Sequence, residues 1–314
     1  MELVECVPNF SEGRRPEVIA GIRDAAASVP GVAVLDLHAD ATHNRMVLTF
    51  AGTPAAVAEA AFRCAEQAAR TIDMTVQQGE HPRIGATDVI PFVPIGGVTM
   101  ETCVEVATAV GARIGDQLDI PVYLYARAAR RPDRVRLPDV RRGQYEALRD
   151  AIATDPGRAP DFGPARLGTA GATAVGARPF LVAFNVNLAT ADLALAKRIA
   201  RTVRESNGGL PAVQALGMLT DNPDVVQVSM NLLDTATTPL LVVYDTVRDL
   251  AAAAGVEVFE SELVGLLPLD VLVATMRTRT KMRRLEASQI VEGRLLQALS
   301  AAEPPPGAAG QAGA

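Results

Sequence analysis

Only three histidines occur in this 314-residue chain, His38, His43 and His81, and an unshifted imidazole titrates near neutral pH. His81 stands in the run Gly79-Glu80-His81-Pro82-Arg83-Ile84-Gly85, which places a carboxylate, an imidazole and a guanidinium together in a glycine-bracketed turn. That set puts a proton donor or acceptor beside an anion-binding group, as acid–base chemistry on an anionic substrate requires. The same spacing also fits a surface histidine beside a solvated ion pair.

His38, Asp40 and His43 bring two imidazoles and a carboxylate to short spacing, so together with His81 they form a candidate set for a metal-dependent hydrolase. Against this, no metalloprotease helix spacing is present, and a polar loop with Asp40 and Asn44 in side-chain turns explains the same residues. Arg45, Arg83 and Arg178 each lie where a loop meets a strand or hinge, positions from which a guanidinium fork can take a ligand carboxylate. The glycine-rich stretch 163–176 lacks the Lys-Ser/Thr ending of a P-loop and the Rossmann spacing, and no serine sits in a GxSxG elbow. Such a loop still lets a ligand approach main-chain amides closely.

Hydrophobic periodicity supplies the elements that must carry these residues. Strands are predicted at 3–7, 32–37, 46–50, 88–93 and 121–125, with helices at 16–27, 53–72 and 101–118. Pro91 inside one strand places it at an edge or a bulge. The leading order of strand, helix, strand, strand, helix, strand is the split βαβ pattern, with two helices on one face of an antiparallel sheet. Residues 126–159 shift to Arg, Pro and Asp, with a helix at 143–153, and read as an excursion outside the core. The Gly/Ala/Pro stretch 161–178 reads as a hinge. The second half repeats the plan, with strands at 180–187, 213–219, 227–232 and 256–260 and helices at 191–204 and 239–253, followed by helix at 269–273 and 288–299. The expected class is therefore α+β: two ferredoxin-like α/β sandwich subdomains, 1–178 and 179–300, and a disordered tail at 301–314.

Composition narrows the functions. A net charge of −6 opposes a nucleic-acid partner, whose phosphates need a basic face. Of the 30 basic residues only Lys197 and Lys281 are lysines, which favours bidentate carboxylate or phosphate recognition, although high-GC coding produces the same bias. There is no Trp, so a bound flat ring must lean on Phe, Tyr, Arg or backbone planes. Cys6, Cys64 and Cys103 are widely spaced and odd in number, which fits reduced thiols. No apolar run reaches the roughly 18 residues of a membrane span and the N-terminus is acidic, so a cytoplasmic protein without membrane association is expected.

Several blocks in order closely resemble the formiminotransferase family. They include Leu3-Val4-Glu5-Cys6-Val7-Pro8-Asn9-Phe10-Ser11-Glu12-Gly13, the run from Gly79 to Ala86 with Asp88 and Pro91-Phe92, and Pro121-Val122-Tyr123-Leu124-Tyr125. Asp161-Phe162-Gly163-Pro164, Phe184-Asn185-Val186-Asn187-Leu188, Gln227-Val228-Ser229 and Glu262-Leu263-Val264-Gly265-Leu266 continue the match. The resemblance implies transfer of a formimino group from N-formimino-L-glutamate to tetrahydrofolate, a co-substrate, with neither metal nor prosthetic group. It also implies a ligand cleft between the two subdomains and a homodimer acting in histidine breakdown and one-carbon metabolism. On this sequence the family's catalytic histidine falls on His81. Its folate loop falls on Gly163, Pro164, Ala165, Arg166, Leu167, Gly168, Thr169, Ala170 and Gly171.

Chemistry fits that role for His81, because one imidazole can take the proton of folate N5 and protonate the departing nitrogen. Glu80 or Asp88 then orients or stabilises its ring, and Arg45, Arg83 and Arg178 are candidates for substrate carboxylates. The alternatives are a formyl donor (N-formylglutamate or 5-formyltetrahydrofolate), the metal-dependent hydrolase, and a folate-binding module without catalysis.

Overall fold

Pro8 lacks a backbone donor and divides the first strand into β1 (Leu3–Cys6) and β2 (Asn9–Phe10), which share one lane of the sheet. The computed structural model describes residues 2–79, 81–282 and 284–294. After these strands, α1 (Pro16–Ala27) starts on a proline, tolerated in a first turn, and buries Val18, Ile22 and Ala26 as one stripe. β3 (Val32–Asp40) and β4 (Arg45–Gly52) form a hairpin. Thr53 caps α2 (Pro54–Thr71) by accepting from the Ala56 amide. Next come β5 (Thr87–Gly96), α3 (Met100–Gln117), β6 (Val122–Ala126), the short α4 (Leu137–Val140), α5 (Gln144–Ala151) and β7 (Thr173–Ala177).

These elements form the first of two units, Met1–Pro179. Across its sheet the lanes run β3, β4, β1 with β2, β5, β7, β6. Neighbours are antiparallel from β3 to β5, whereas β7 lies parallel to both β5 and β6. The sheet is therefore mixed, not wholly antiparallel as expected.

Part of the segment expected as a hinge is β7, a strand inside the sheet. Its sequence, Thr-Ala-Val-Gly-Ala, shows no alternation because both faces are covered. Val175 and Ala177 join the core beneath α1, α2 and α3, while Ala174 packs with Val89, Tyr123 and Tyr125 on the other side. That second face is closed by Val140, Leu148 and Ile152 from the Arg-rich segment. The expected excursion is thus a third layer, whose few apolar residues are diluted among arginines.

Pro91 sits at neither the edge nor the bulge expected of it: β5 is an interior strand, and its register shifts fall at 87–89 and 94–96. In a strand, N–H and C=O of one residue point to the same side, and the Pro91 carbonyl accepts from the Val7 amide at 3.3 Å. The missing donor therefore falls at the break between β1 and β2.

The second unit, Phe180–Ala314, holds β8 (Val182–Leu188), α6 (Leu193–Val203), β9 (Val213–Leu219), β10 (Val226–Leu232), α7 (Leu240–Ala252), β11 (Val258–Val264) and α8 (Leu269–Thr280). Its four strands are antiparallel in the order β11, β8, β10, β9. Val182, Phe184, Val186 and Leu188 alternate into a core shared with Leu195, Ile199 and Val203 of α6 and Val243 and Val247 of α7. The last strand is displaced from the expected 256–260, and α8 outruns the expected 269–273. The tail 301–314 and the end of the helix expected at 288–299 lie outside the described residues.

Cys6, Cys64 and Cys103 are buried free thiols, and burial pushes Cys64 up to about 12. Among the described residues no helix is long and apolar enough to cross a membrane.

Candidate active site

The segment carrying His81 is held by backbone contacts rather than by regular structure. Ile84 and Gly85 run against the end of the glycine-rich loop. The Ala86 amide donates to the Ala170 carbonyl at 2.8 Å, and the Ala172 amide donates to the Ile84 carbonyl at 2.9 Å. A Cβ at Gly85 would sit 2.0 Å from the Ala172 carbonyl oxygen, a backbone atom that cannot step aside, so only glycine permits this approach. The Ser11 hydroxyl donates to the Gly85 carbonyl at 2.7 Å, adding the turn after β2 to the same anchor.

A small pocket is lined by Ser11, His43, Arg45, His81, Arg83 and Asp88, with further residues around them. At its wall the His81 Nδ1 lies 2.7 Å from the Pro82 carbonyl. A carbonyl only accepts, so Nδ1 carries the proton and Nε2 keeps its lone pair. Burial, then the positive charges of Arg45 and Arg141, push the imidazole down to about 3, partly opposed by Asp88 and the Pro82 hydrogen bond. His81 is therefore a neutral base at working pH.

That shift has a definite sign. Between about pH 6.5 and about 3 the unfolded chain holds a proton on His81 that the folded chain lacks, so this residue removes stability as the pH falls and has no effect above that window. An NMR titration of the three imidazoles is expected to show no His81 midpoint between pH 5 and 8. A midpoint near the ordinary value would contradict the geometry above.

Asp88, at the head of β5, is 2% exposed and uses both carboxylate oxygens. One accepts from the Ile84 amide at 3.0 Å, and the other pairs with Arg141. It therefore holds Arg141 and the strand entry; the ring of His81 is oriented by Pro82. Arg45 is half-buried, and desolvation with the nearby Arg141 pushes it down to about 10. Its Nη2 donates to the Asn9 side-chain oxygen, but its Nε is buried with no partner among the described residues. A buried donor left unpaired costs free energy, and the residue that carries it lines the pocket.

The other sequence candidates are placed differently. Arg83 is committed to protein: its fork takes Glu146 at 2.8 and 3.0 Å, and its Nε takes Gln77 at 2.9 Å. Arg178 follows the far end of β7 and donates to the Pro179 carbonyl. The register sets Asp88 beside residue 173, so Arg178 is about 16 Å further along the strand, at about 3.3 Å per residue, and it does not line the pocket. Glu80 lies outside the described residues.

In the loop 163–171, Arg166 pairs with Asp119, the Thr169 carbonyl accepts from the Met74 amide at 2.7 Å, and Gly171 bridges to Gly85. The loop thus ends on the backbone that follows His81. Phe162, just before it, carries the Arg130 guanidinium 4.5 Å over its ring.

His43 and His81 line the same pocket and Asp40 contacts His43, but with His38 these residues form no metal-binding set. Among the described residues no group of three or more His, Cys, Asp or Glu is arranged to hold a metal ion. His38 is exposed on β3, and Asp40 instead binds the backbone and ring of His43. Arg141, Asn9 and Gln77 escaped the sequence reading. Arg141 was one arginine among many, and its only signal was Asp88, an acid in an apolar strand that needed a partner.

The family model for the formiminotransferase domain, N-terminal subdomain, matches residues 3–178, and that for the formiminotransferase domain matches residues 183–295. The chain is 46% identical over 300 residues to the glutamate formimidoyltransferase of Thermoplasma acidophilum, covering 95% of this chain and 99% of that protein. It is 42% identical over 297 residues to the glutamate formimidoyltransferase of Streptococcus pyogenes serotype M1, covering 94% and 99%. With the formimidoyltransferase-cyclodeaminase of Gallus gallus it shares 45% identity over 291 residues, 90% of this chain and 53% of that protein. Matches of this extent, falling on both units and on the segment that builds the pocket, have one meaning: the chain belongs to the formiminotransferase family.

Proposed function

We propose that this protein is a transferase that moves the formimino group of N-formimino-L-glutamate to N5 of tetrahydrofolate, releasing L-glutamate. One observation carries the assignment of the site: Arg45, whose buried Nε has no partner among the described residues, lines the same pocket as an imidazole whose Nε2 is unprotonated. The pocket is electropositive, since Asp88 is already paired with Arg141. It suits a donor that carries carboxylates.

In this reading the N5 lone pair attacks the formimino carbon while His81 Nε2 takes the N5 proton. The tetrahedral centre then collapses, the bond from carbon to the glutamate nitrogen breaks, and that nitrogen leaves with an added proton. His81 is the acid–base group, and a carboxylate held by Arg45 sets the donor in line. The loop from Gly163 to Gly171 is the folate-binding segment, and its attachment at Gly85 supports this. The reading extends to a homodimer in the cytosol. It also takes the βαββαβ order recurring in each unit as two ferredoxin-like halves, 1–178 and 179–300.

The test is glutamate release by the purified protein with formiminoglutamate and tetrahydrofolate, beside N-formylglutamate as the competing donor. No turnover with formiminoglutamate would reject the assignment, and folate binding without turnover on either donor would leave a binding module. Arg45→Met is expected to raise the donor KM roughly 10- to 100-fold, since a hydrogen bond to a charged group contributes about 1.5–3 kcal/mol. An unchanged KM would remove Arg45 from the donor site.

A further inference from the structure

The hairpin turn between β3 and β4 carries a second imidazole to the His81 pocket. His43 lines that pocket. Its Nδ1 lies 2.6 Å from one oxygen of Asp40, and its backbone amide donates to the other at 2.9 Å, so the carboxylate clamps both ring and main chain. With Nδ1 engaged, Nε2 is the nitrogen left to act.

Two further contacts lock this turn onto the segment that leads into His81. The Asn44 side-chain amide donates to the Gln78 carbonyl at 2.8 Å, and a Cβ at Gly79 would meet the His43 carbonyl oxygen at 2.4 Å. The two histidine-bearing loops are therefore in direct backbone contact, and their imidazoles face one pocket in different settings. One ring donates to a neutral carbonyl and sits among arginines; the other is held by a carboxylate.

We propose that His43, oriented by Asp40, is the general acid that protonates the departing glutamate nitrogen, leaving His81 to act as the base toward N5. This rests on the formimino-transfer reading above. In the balanced step His81 gains the N5 proton as the N5–carbon bond forms, and the carbon–glutamate nitrogen bond breaks as His43 Nε2 gives its proton to that nitrogen. Solvent then returns one proton from His81 to His43, so the protein ends as it began. The charged groups around His43 are Asp40 from β3, Arg45 from β4, Arg14 ahead of α1, which donates to the Ala41 carbonyl at 2.8 Å, and Arg83 and Asp88 from the pocket wall.

His43→Gln is expected to lower kcat about 100-fold, at the low end of acid–base contributions, with the donor KM within about twofold. Asp40→Asn should lower kcat in the same direction but less than His43→Gln does, with the donor KM again within about twofold, because the ring loses the carboxylate that orients it. A merely structural role for the turn would instead show as a fall in thermal midpoint together with a raised KM. A His43→Gln protein with kcat within threefold, or with its loss confined to KM or matched by a large fall in thermal midpoint, overturns the proposal. If the unsubstituted protein releases no glutamate, the transfer reading fails first and takes this proposal with it.

Discussion

His81→Ala is expected to lower kcat for glutamate release by roughly 10²–10⁴-fold, the range for removing a positioned acid–base group, while the thermal midpoint stays close to that of the unsubstituted chain. Among the described residues the ring makes one hydrogen bond, to the carbonyl of its own neighbour Pro82, so its loss uncouples no element of the sheet. The effect should fall on kcat more than on the donor KM, because Arg45 and the loop from Gly163 to Gly171 remain. Full transferase activity in this variant would show that His81 is not the base. A loss of rate matched by a large fall in thermal midpoint would show that the residue is structural.

Asp88→Asn is expected to reduce stability by roughly 3–5 kcal/mol, because it leaves the Arg141 guanidinium buried without its counter-charge. The side chains of Asp88 and Arg141 are 3% and 13% exposed, so water cannot replace the lost partner. For a unit of this size that corresponds to a fall of roughly 6–20 °C in thermal midpoint. Activity should fall too, since the unpaired charge stands near His81 and the Ile84 amide loses a charged acceptor. Replacing both residues, as Asp88→Leu with Arg141→Met, should recover much of the stability but not the activity, since a buried pair exchanged for apolar groups is often neutral. Calorimetry on both single variants and the double variant checks this. A midpoint unchanged in Asp88→Asn would mean that the pair contributes little.

Much of the architecture was legible because each element announces itself locally. α1 and α2 carry a proline or a threonine cap and an apolar stripe, and the strands of the second unit alternate as one-sided strands must. The His81 turn was legible for another reason. Its glycines, acid, imidazole and guanidinium lie next to one another in the chain, so their proximity needs no folding. β7 was not legible, because a strand covered on both faces loses its period, and its small residues look like a loop.

The roles of the arginines lay furthest from the sequence. Arg45, Arg83 and Arg178 look equivalent in the chain, yet Glu146 occupies Arg83, strand register carries Arg178 away, and of the three Arg45 alone lines the pocket with a buried donor unpaired among the described residues. Asp40 and His43 were noted as metal-type residues, and the fold turned them toward each other instead. What the sequence determined by itself was the family, the run of helices and strands, and the identity of one imidazole in a glycine-bracketed turn. Tertiary structure alone decided which charges are already neutralised and which still face an opening. Ion pairing and burial depend on residues as far apart as Asp88 and Arg141, and no local pattern in the chain records that distance closing.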